Sequence, residues 1–196
     1  MTASIWLIRH GETEWSRDLR HTGMTDVPLT AEGEKQADAV RSELNGVAPA
    51  LVLCSPLRRA RETARLAGLT PEAFTDDLLE RDYGAWEGRT TKEIRETLGN
   101  PQWTVWTSPM EPGATPGETL DQVAVRVDRV LERCLPVVQG GGDCVLVAHG
   151  HVLRILTARW LGLPPLDGQL FALDPARLSA LGFEHENHVI RQWNAT

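Results

Sequence analysis

The chain predicts an α/β fold, a three-layer α/β/α arrangement around a mainly parallel central sheet. Two observations carry that expectation. Short apolar runs alternate with helical patterns along the sequence, and several of these runs end in polar clusters such as Arg9-His10-Gly11 and His149-Gly150-His151. A length of 196 residues is enough for one domain that buries most of its apolar surface.

Ser4 to Arg9 reads as the first strand. Thr30 to Asn45 reads as a helix, with Thr30 as N-cap and Gly46 closing it. Ala50 to Cys54 is the second strand, and Ser55-Pro56 offers an N-cap and an N1 proline for a helix running to about Ala67. Phe74 to Leu79 is expected to be a short strand leading into Glu80-Arg81-Asp82-Tyr83-Gly84. Residues 88–117 form an insert or lid, with a short helix over Thr91 to Leu98. The stretch from Asn100 to Gly117 holds four prolines and two tryptophans, and tryptophans that want burial favour an ordered insert over a linker. Thr115-Pro116-Gly117-Glu118 resembles a capping box before a long helix, whose apolar face is Leu120, Val123, Val127, Val130, Leu131, Cys134 and Leu135. Asp143 to Ala148 is a buried strand and His151 to Leu161 a helix stopped by Gly162 and Pro164. Gln169 to Leu173, Ser179 to Glu184 and Val189 to Trp193 are expected as strands, the last two a hairpin turning near Glu186-Asn187. No repeat or internal boundary is visible, so residues 1–196 are expected as a single domain.

A net charge of −7 and the lack of a dense basic block argue against a nucleic-acid partner. Arg58, Arg59, Arg61 and Arg65 nevertheless cluster, so a cationic pocket inside an acidic molecule is compatible with the sequence. Cys54, Cys134 and Cys144 have neither framework nor metal-ligand spacing and read as core residues in a reducing compartment. No basic n-region precedes the first strand, and no apolar stretch approaches the roughly 18 to 20 residues that span a bilayer. A cytoplasmic location without membrane association is expected.

In α/β sheets ligands gather at the carboxyl ends of strands. Arg9-His10, Ser55 to Arg59 and His149 sit at three such ends, and Glu80 follows a fourth apolar run. Taken singly, His10 reads as a structural histidine, Arg59 as a solvated helix residue and Glu80-Arg81-Asp82 as a charged loop. His149 and His151 lack the nearby carboxylate that would complete a metal set, and Glu184, His185, Glu186 and His188 lack zinc-motif spacing. His21 is open between lining a pocket and capping a turn. The tryptophans read mainly as core, with Trp15, Trp103 and Trp106 open as walls of a site.

The residues make more sense together. Arg9-His10-Gly11-Glu12-Thr13-Glu14-Trp15, Thr22-Gly23 with Thr25 to Gly33, and Ser55-Pro56-Leu57-Arg58-Arg59-Ala60 resemble, in order, motifs of the histidine phosphatase superfamily, in its cofactor-dependent phosphoglycerate mutase-like branch. Glu80-Arg81-Asp82-Tyr83-Gly84-Ala85-Trp86-Glu87-Gly88, Gly117-Glu118-Thr119 and Ala148-His149-Gly150-His151 continue the match over nearly the whole chain. The resemblance implies a phosphoglycerate mutase-like fold. It makes His10 the nucleophile, Arg9, Arg59 and His149 the phosphoryl ligands, and Glu80 the proton donor. The family's Ser-Pro-Leu-x-Arg-Ala pattern selects Arg59 over Arg58. Ser16, Thr22, Gly23, Tyr83, Gly150 and His151 are expected to contact substrate.

The chemistry expected of these groups is consistent with those roles. A neutral imidazole is nucleophilic near pH 7 when its other nitrogen donates to a fixed acceptor, here a backbone carbonyl near Gly11. Two guanidinium groups and a protonated His149 would hold the three equatorial phosphoryl oxygens, so neither metal nor cofactor is called for. Glu80 would protonate the leaving oxygen and then activate the water that hydrolyses the phosphohistidine. An ordinary glutamate is a poor acid at neutral pH, which predicts an optimum on the acid side.

Three functions stay open at this point: a phosphomonoester hydrolase, a phosphoglycerate mutase and a non-catalytic phospholigand-binding module. The mutases' paired lid arginines have no counterpart, since Asn100 to Gly117 contains no Arg or Lys. The positions of their further substrate-binding residues are taken by Thr91, Ser16 and His151. Hydrolysis is favoured, and the chain is similar to bacterial acid phosphatases and fungal sedoheptulose bisphosphatases. The expected partner is a small phosphorylated substrate, sugar phosphates included. By analogy with related proteins a homodimer is expected.

Overall fold

The computed structural model describes residues 3–195. Six strands form one sheet: β1 (Ile5–Arg9), β2 (Pro49–Cys54), β3 (Ala73–Phe74), β4 (Asp143–Ala148), β5 (Leu178–Glu184) and β6 (Asn187–Ala195). Their order is β3-β2-β4-β1-β5-β6. The first four run parallel, and β5 and β6 add an antiparallel edge. The helices are α1 (Glu14–Arg17), α2 (Ala31–Glu43), α3 (Arg58–Leu66), α4 (Thr91–Leu98), α5 (Leu120–Gln139) and α6 (Gly150–Trp160).

The pleat explains the three layers. Along β4, Cys144, Leu146 and Ala148 point into the core shared with α5 and α6. Val145 and Val147 point into the core shared with α2 and α3. A strand covered on both faces reads as an uninterrupted apolar run, and β4 is such a run. No helix among the described residues is long and apolar enough to cross a membrane.

Chain order makes a crevice. After β1 the chain forms β2 two places away, and β4 later fills the gap between them. The carboxyl ends of β1 and β4 are therefore neighbours, with Arg9 paired to Ala148. The residues that follow, His10 and His149, must emerge side by side.

Four local expectations give way to the structure. Ser55 does not cap α3. Its hydroxyl accepts from His149 Nε2 at 2.7 Å, the helix starts at Arg58, and Asp26 caps the Arg58 N–H from a separate loop at 2.8 Å. Only Ala73–Phe74 of the expected third strand pairs, and Asp76–Leu78 form a 3-10 turn capped by Thr75. The capping box of α5 is Thr119 with Gln122, four residues beyond Thr115, because Thr115 donates to Asp82. Gln169 to Leu173 is no strand. The carbonyls of Gly168 and Gln169 accept from Arg154, that of Ala172 from Trp193 and that of Leu173 from Arg9, which leaves no ladder to form.

Between α4 and α5 the chain folds back on the loop that carries Glu80. Tyr83, Trp86, Ile94, Trp103 and Val105 make a third, smaller apolar cluster, with Trp106 and Met110 against it.

Candidate active site

His10 leaves β1 with its N–H bonded to the Ala148 carbonyl at 2.9 Å. Its Nδ1 donates to the Gly11 carbonyl at 2.7 Å, so Nε2 is the ring nitrogen left to react. Gly11 is required by packing: a Cβ there would lie 2.3 Å from the Gly33 carbonyl oxygen at the start of α2. Thr63 on α3 accepts the Gly11 N–H at 3.0 Å and fixes the turn from the other side. Burial, then the guanidinium groups of Arg59 and Arg9, hold His10 well below the usual imidazole range. The imidazole is neutral.

Arg59 is fully buried at the second position of α3. Its Nη1 donates to the Thr25 carbonyl and Nη2 to that of Gly23, both at 2.8 Å, while Nε donates to His149 Nδ1 at 3.1 Å. A ring that accepts at Nδ1 and donates from Nε2 to Ser55 is uncharged. Burial and the nearby Arg59 hold its pKa well below the ordinary value. The protonated His149 expected from sequence is thus replaced by a neutral one. The His10 and His149 rings stand 5.1 Å apart, edge to face. Arg9 bonds the Leu173 carbonyl through Nη1, but its buried Nε has no hydrogen-bond partner among the described residues.

Glu80 closes the group. Its Oε1 accepts from the N–H groups of Arg81 at 2.9 Å and Val152 at 3.0 Å, and Oε2 accepts from His151 N–H at 3.0 Å. The first turn of α6 therefore holds the carboxylate while the residue before that helix is His149. Gly150 lies between Arg9 and Glu80: a Cβ there would be 3.5 Å from Arg9 Nε and 3.7 Å from Glu80 Oε2.

Above this floor opens a cavity of about 1090 Å3. Arg9, His10 and Glu80 line its base, and Ser16, His21, Thr22, Tyr83, Gly150 and His151 also face it. Arg59 and His149 sit one layer deeper, behind His10. Gly23 is packed behind the cavity as well: its N–H donates to Glu87 at 2.9 Å and its carbonyl takes Arg59. It supports an arginine and is not exposed to the cavity. Ser16 has its hydroxyl engaged in the Thr13 cap of α1. Tyr83, which burial keeps protonated, shares a 2.7 Å hydrogen bond with His151 Nδ1. His21 lines the cavity and bonds Thr91 at 3.1 Å, and burial followed by Arg81 lowers its pKa to about 4.

Sequence reasoning missed four contributors. Arg154 lines the cavity, with its guanidinium 4.6 Å from the centre of the Trp106 ring. Its signal was available, since position 154 lies one helical turn beyond His151. Lys92 and Arg95 of α4 and Arg20 also line the wall, so cations are present although the 100–117 segment supplies none.

The comparisons with known proteins agree with this geometry. The model of the histidine phosphatase superfamily (branch 1) matches residues 5–196. An acid phosphatase of Mycobacterium tuberculosis is 42% identical over 183 residues, covering 92% of this chain and 87% of that protein. The sedoheptulose 1,7-bisphosphatase of Saccharomyces cerevisiae is 34% identical over 83% of this chain and 69% of its own. Among solved structures, an open reading frame product of Mycobacterium tuberculosis superposes with a TM-score of 0.90 at 40% identity, covering 100% of this chain and 99% of that one. With a match that runs from β1 to the last residue, the chain belongs to branch 1 of the histidine phosphatase superfamily and is a phosphatase of that family.

Proposed function

We propose that the protein hydrolyses small phosphomonoesters, sugar phosphates among them, through a phosphohistidine on His10 and without a metal. The observation that carries the reading is the pairing of a neutral, tautomer-fixed His10 with the buried Nε–H of Arg9, which has no partner among the described residues, at the base of one cavity. A buried donor without an acceptor is costly, and a phosphoryl oxygen would satisfy it.

In the first step His10 Nε2 forms a bond to phosphorus as the ester P–O bond breaks, and Glu80 gives its proton to the departing oxygen. In the second, Glu80 takes a proton from water as that water attacks phosphorus, the P–N bond breaks, and inorganic phosphate leaves. Arg9, through its Nε–H, and the deeper Arg59 offset the charge on the equatorial oxygens, while the neutral His149, bonded to Arg59 at Nδ1 and to Ser55 at Nε2, holds the Arg59 guanidinium beside His10. Positive charge comes from the protein, which supports activity without a metal. Because burial, Arg59 and Arg9 keep His10 neutral well below its ordinary pKa, the nucleophile survives into the acid range, and activity there is expected. Three buried, free cysteines support a reducing, cytoplasmic setting.

The test is release of phosphate from p-nitrophenyl phosphate in excess EDTA. His10→Ala should lower the rate by at least about 10^4-fold, and acid quenching of the wild type should trap an acid-labile phosphoenzyme. Metal-dependent turnover, or full activity in His10→Ala, would refute the reading. Interconversion of phosphoglycerates with little phosphate release would point to a mutase instead.

A further inference from the structure

We infer that Glu118 and Arg126 form a positioning pair for Glu80, setting where the acid stands although neither residue lines the cavity. The inference rests on the proposed role of Glu80. The segment from Leu79 to Asp82 is neither helix nor strand, so its buried main-chain groups need partners from elsewhere. The pair supplies them. Arg126, on α5, donates from Nη1 to the carbonyls of Asp77 at 3.0 Å and Leu79 at 2.6 Å, and from Nη2 to that of Glu80 at 3.1 Å. The same guanidinium grips Glu118 in a fork, Nε to Oε1 and Nη2 to Oε2, both at 2.9 Å. Glu118 Oε2 also accepts from the Asp82 N–H at 3.0 Å. Residue 80 is therefore held at its own carbonyl by the cation and two residues later by the anion.

The pair also ties the acid to the insert. The Glu118 N–H donates to the Asp82 carbonyl at 2.9 Å, and the Glu118 carbonyl accepts from Arg81 Nε at 2.8 Å. The Arg81 guanidinium reaches the Val105 carbonyl, and Asp82 accepts from Thr115 and from the Gly117 N–H. Glu80 is in place only when the segment from Val105 to Glu118 is seated. Arg126 is 8% exposed, and a buried ion pair adds little net stability over an apolar replacement. Placement is what it supplies, and placement matters because a proton donor displaced by about 1 Å can lose two orders of magnitude in rate.

A general acid is needed most by a poor leaving group. The experiment compares kcat/KM, which stops at phosphoryl transfer, for glycerol 2-phosphate and for p-nitrophenyl phosphate. Arg126→Gln and Glu118→Gln should lower the alkyl ester's value by at least about 30-fold and the aryl ester's by about 3-fold or less. Arg126→Lys should recover part of the loss. Glu80→Gln, run alongside, should show the same pattern more strongly. Equal losses on both esters, no loss on either, or loss of cooperative melting in both pair variants would overturn the inference. If Glu80→Gln itself shows no leaving-group dependence, the role of Glu80 fails and the inference falls with it. If only the pair variants lack it, the role stands and the pair does not.

Discussion

In the floor of the site His10, Arg59 and Glu80 take most of their partners from main chain, and the His149 ring alone is bonded only to side chains, those of Arg59 and Ser55. In the cavity wall above them the aromatic and histidine side chains are bonded to other side chains. His10 donates to the Gly11 carbonyl, Arg59 to those of Gly23 and Thr25, and Glu80 accepts three backbone N–H groups. In the wall, Tyr83 and His151 share a hydrogen bond and His21 bonds Thr91, while the Trp106 ring packs 4.7 Å from that of His151. Main-chain partners are set by the sheet and cannot be removed by one substitution. Side-chain partners can. The floor and the wall can therefore be altered separately.

The sharpest way to break this contrast is at Arg59. Arg59→Met keeps the aliphatic stem but strands the carbonyls of Gly23 and Thr25 and the Nδ1 of His149. A loss of about 3 kcal/mol in denaturant melts and about 10^3-fold in kcat/KM for an aryl phosphate is expected. Destabilisation with unchanged kcat/KM would mean that the deep layer is scaffold only.

Much of the floor was legible because its signals are local. Thr30 caps α2 by accepting the Gly33 N–H, β4 spans Asp143–Ala148 as its apolar run predicts, and both strand-ending histidines lie where the parallel order needs them. What could not be read depends on competition between distant groups. Ser55-Pro56 carries a sound capping signal, but Ser55 is claimed by His149, 94 residues away. Thr115 and Thr119 both begin acceptable capping boxes, and only the presence of Asp82 decides between them. Phosphate chemistry alone suggests a protonated His149, whereas Arg59 pointing its Nε–H at the ring makes it neutral.

Gly150 tests the floor without disturbing its scaffold. It opens α6, where alanine is the better helix former by up to about 1 kcal/mol, and its added methyl meets only ordinary contacts. That methyl would nevertheless stand between Arg9 and Glu80, where the phosphoryl group and leaving oxygen are expected. Gly150→Ala should melt at the wild-type temperature or slightly above, with kcat/KM reduced on the order of 10- to 100-fold. A variant as active as the wild type would move the reacting atoms elsewhere in the cavity.

The wall yields a smaller effect, visible in its titration. His21 titrates at about 4 in the folded protein and near 6.5 when unfolded, so between those values the unfolded chain binds a proton that the native one refuses. Its contribution is intact above about pH 6.5 and is lost as pH falls, reaching about 2 kcal/mol at pH 5. His10, His149 and His151 are lowered in the same direction, by burial before any charge, so the whole molecule should soften in acid. His21→Phe keeps a ring against Tyr83 and Trp103 and gives up the Thr91 bond, which makes it the less stable protein at pH 7 by about 1 kcal/mol. It has no proton to refuse. Its stability should therefore overtake the wild type's between pH 7 and pH 5 in matched urea melts, whereas parallel curves would place His21 in contact with solvent.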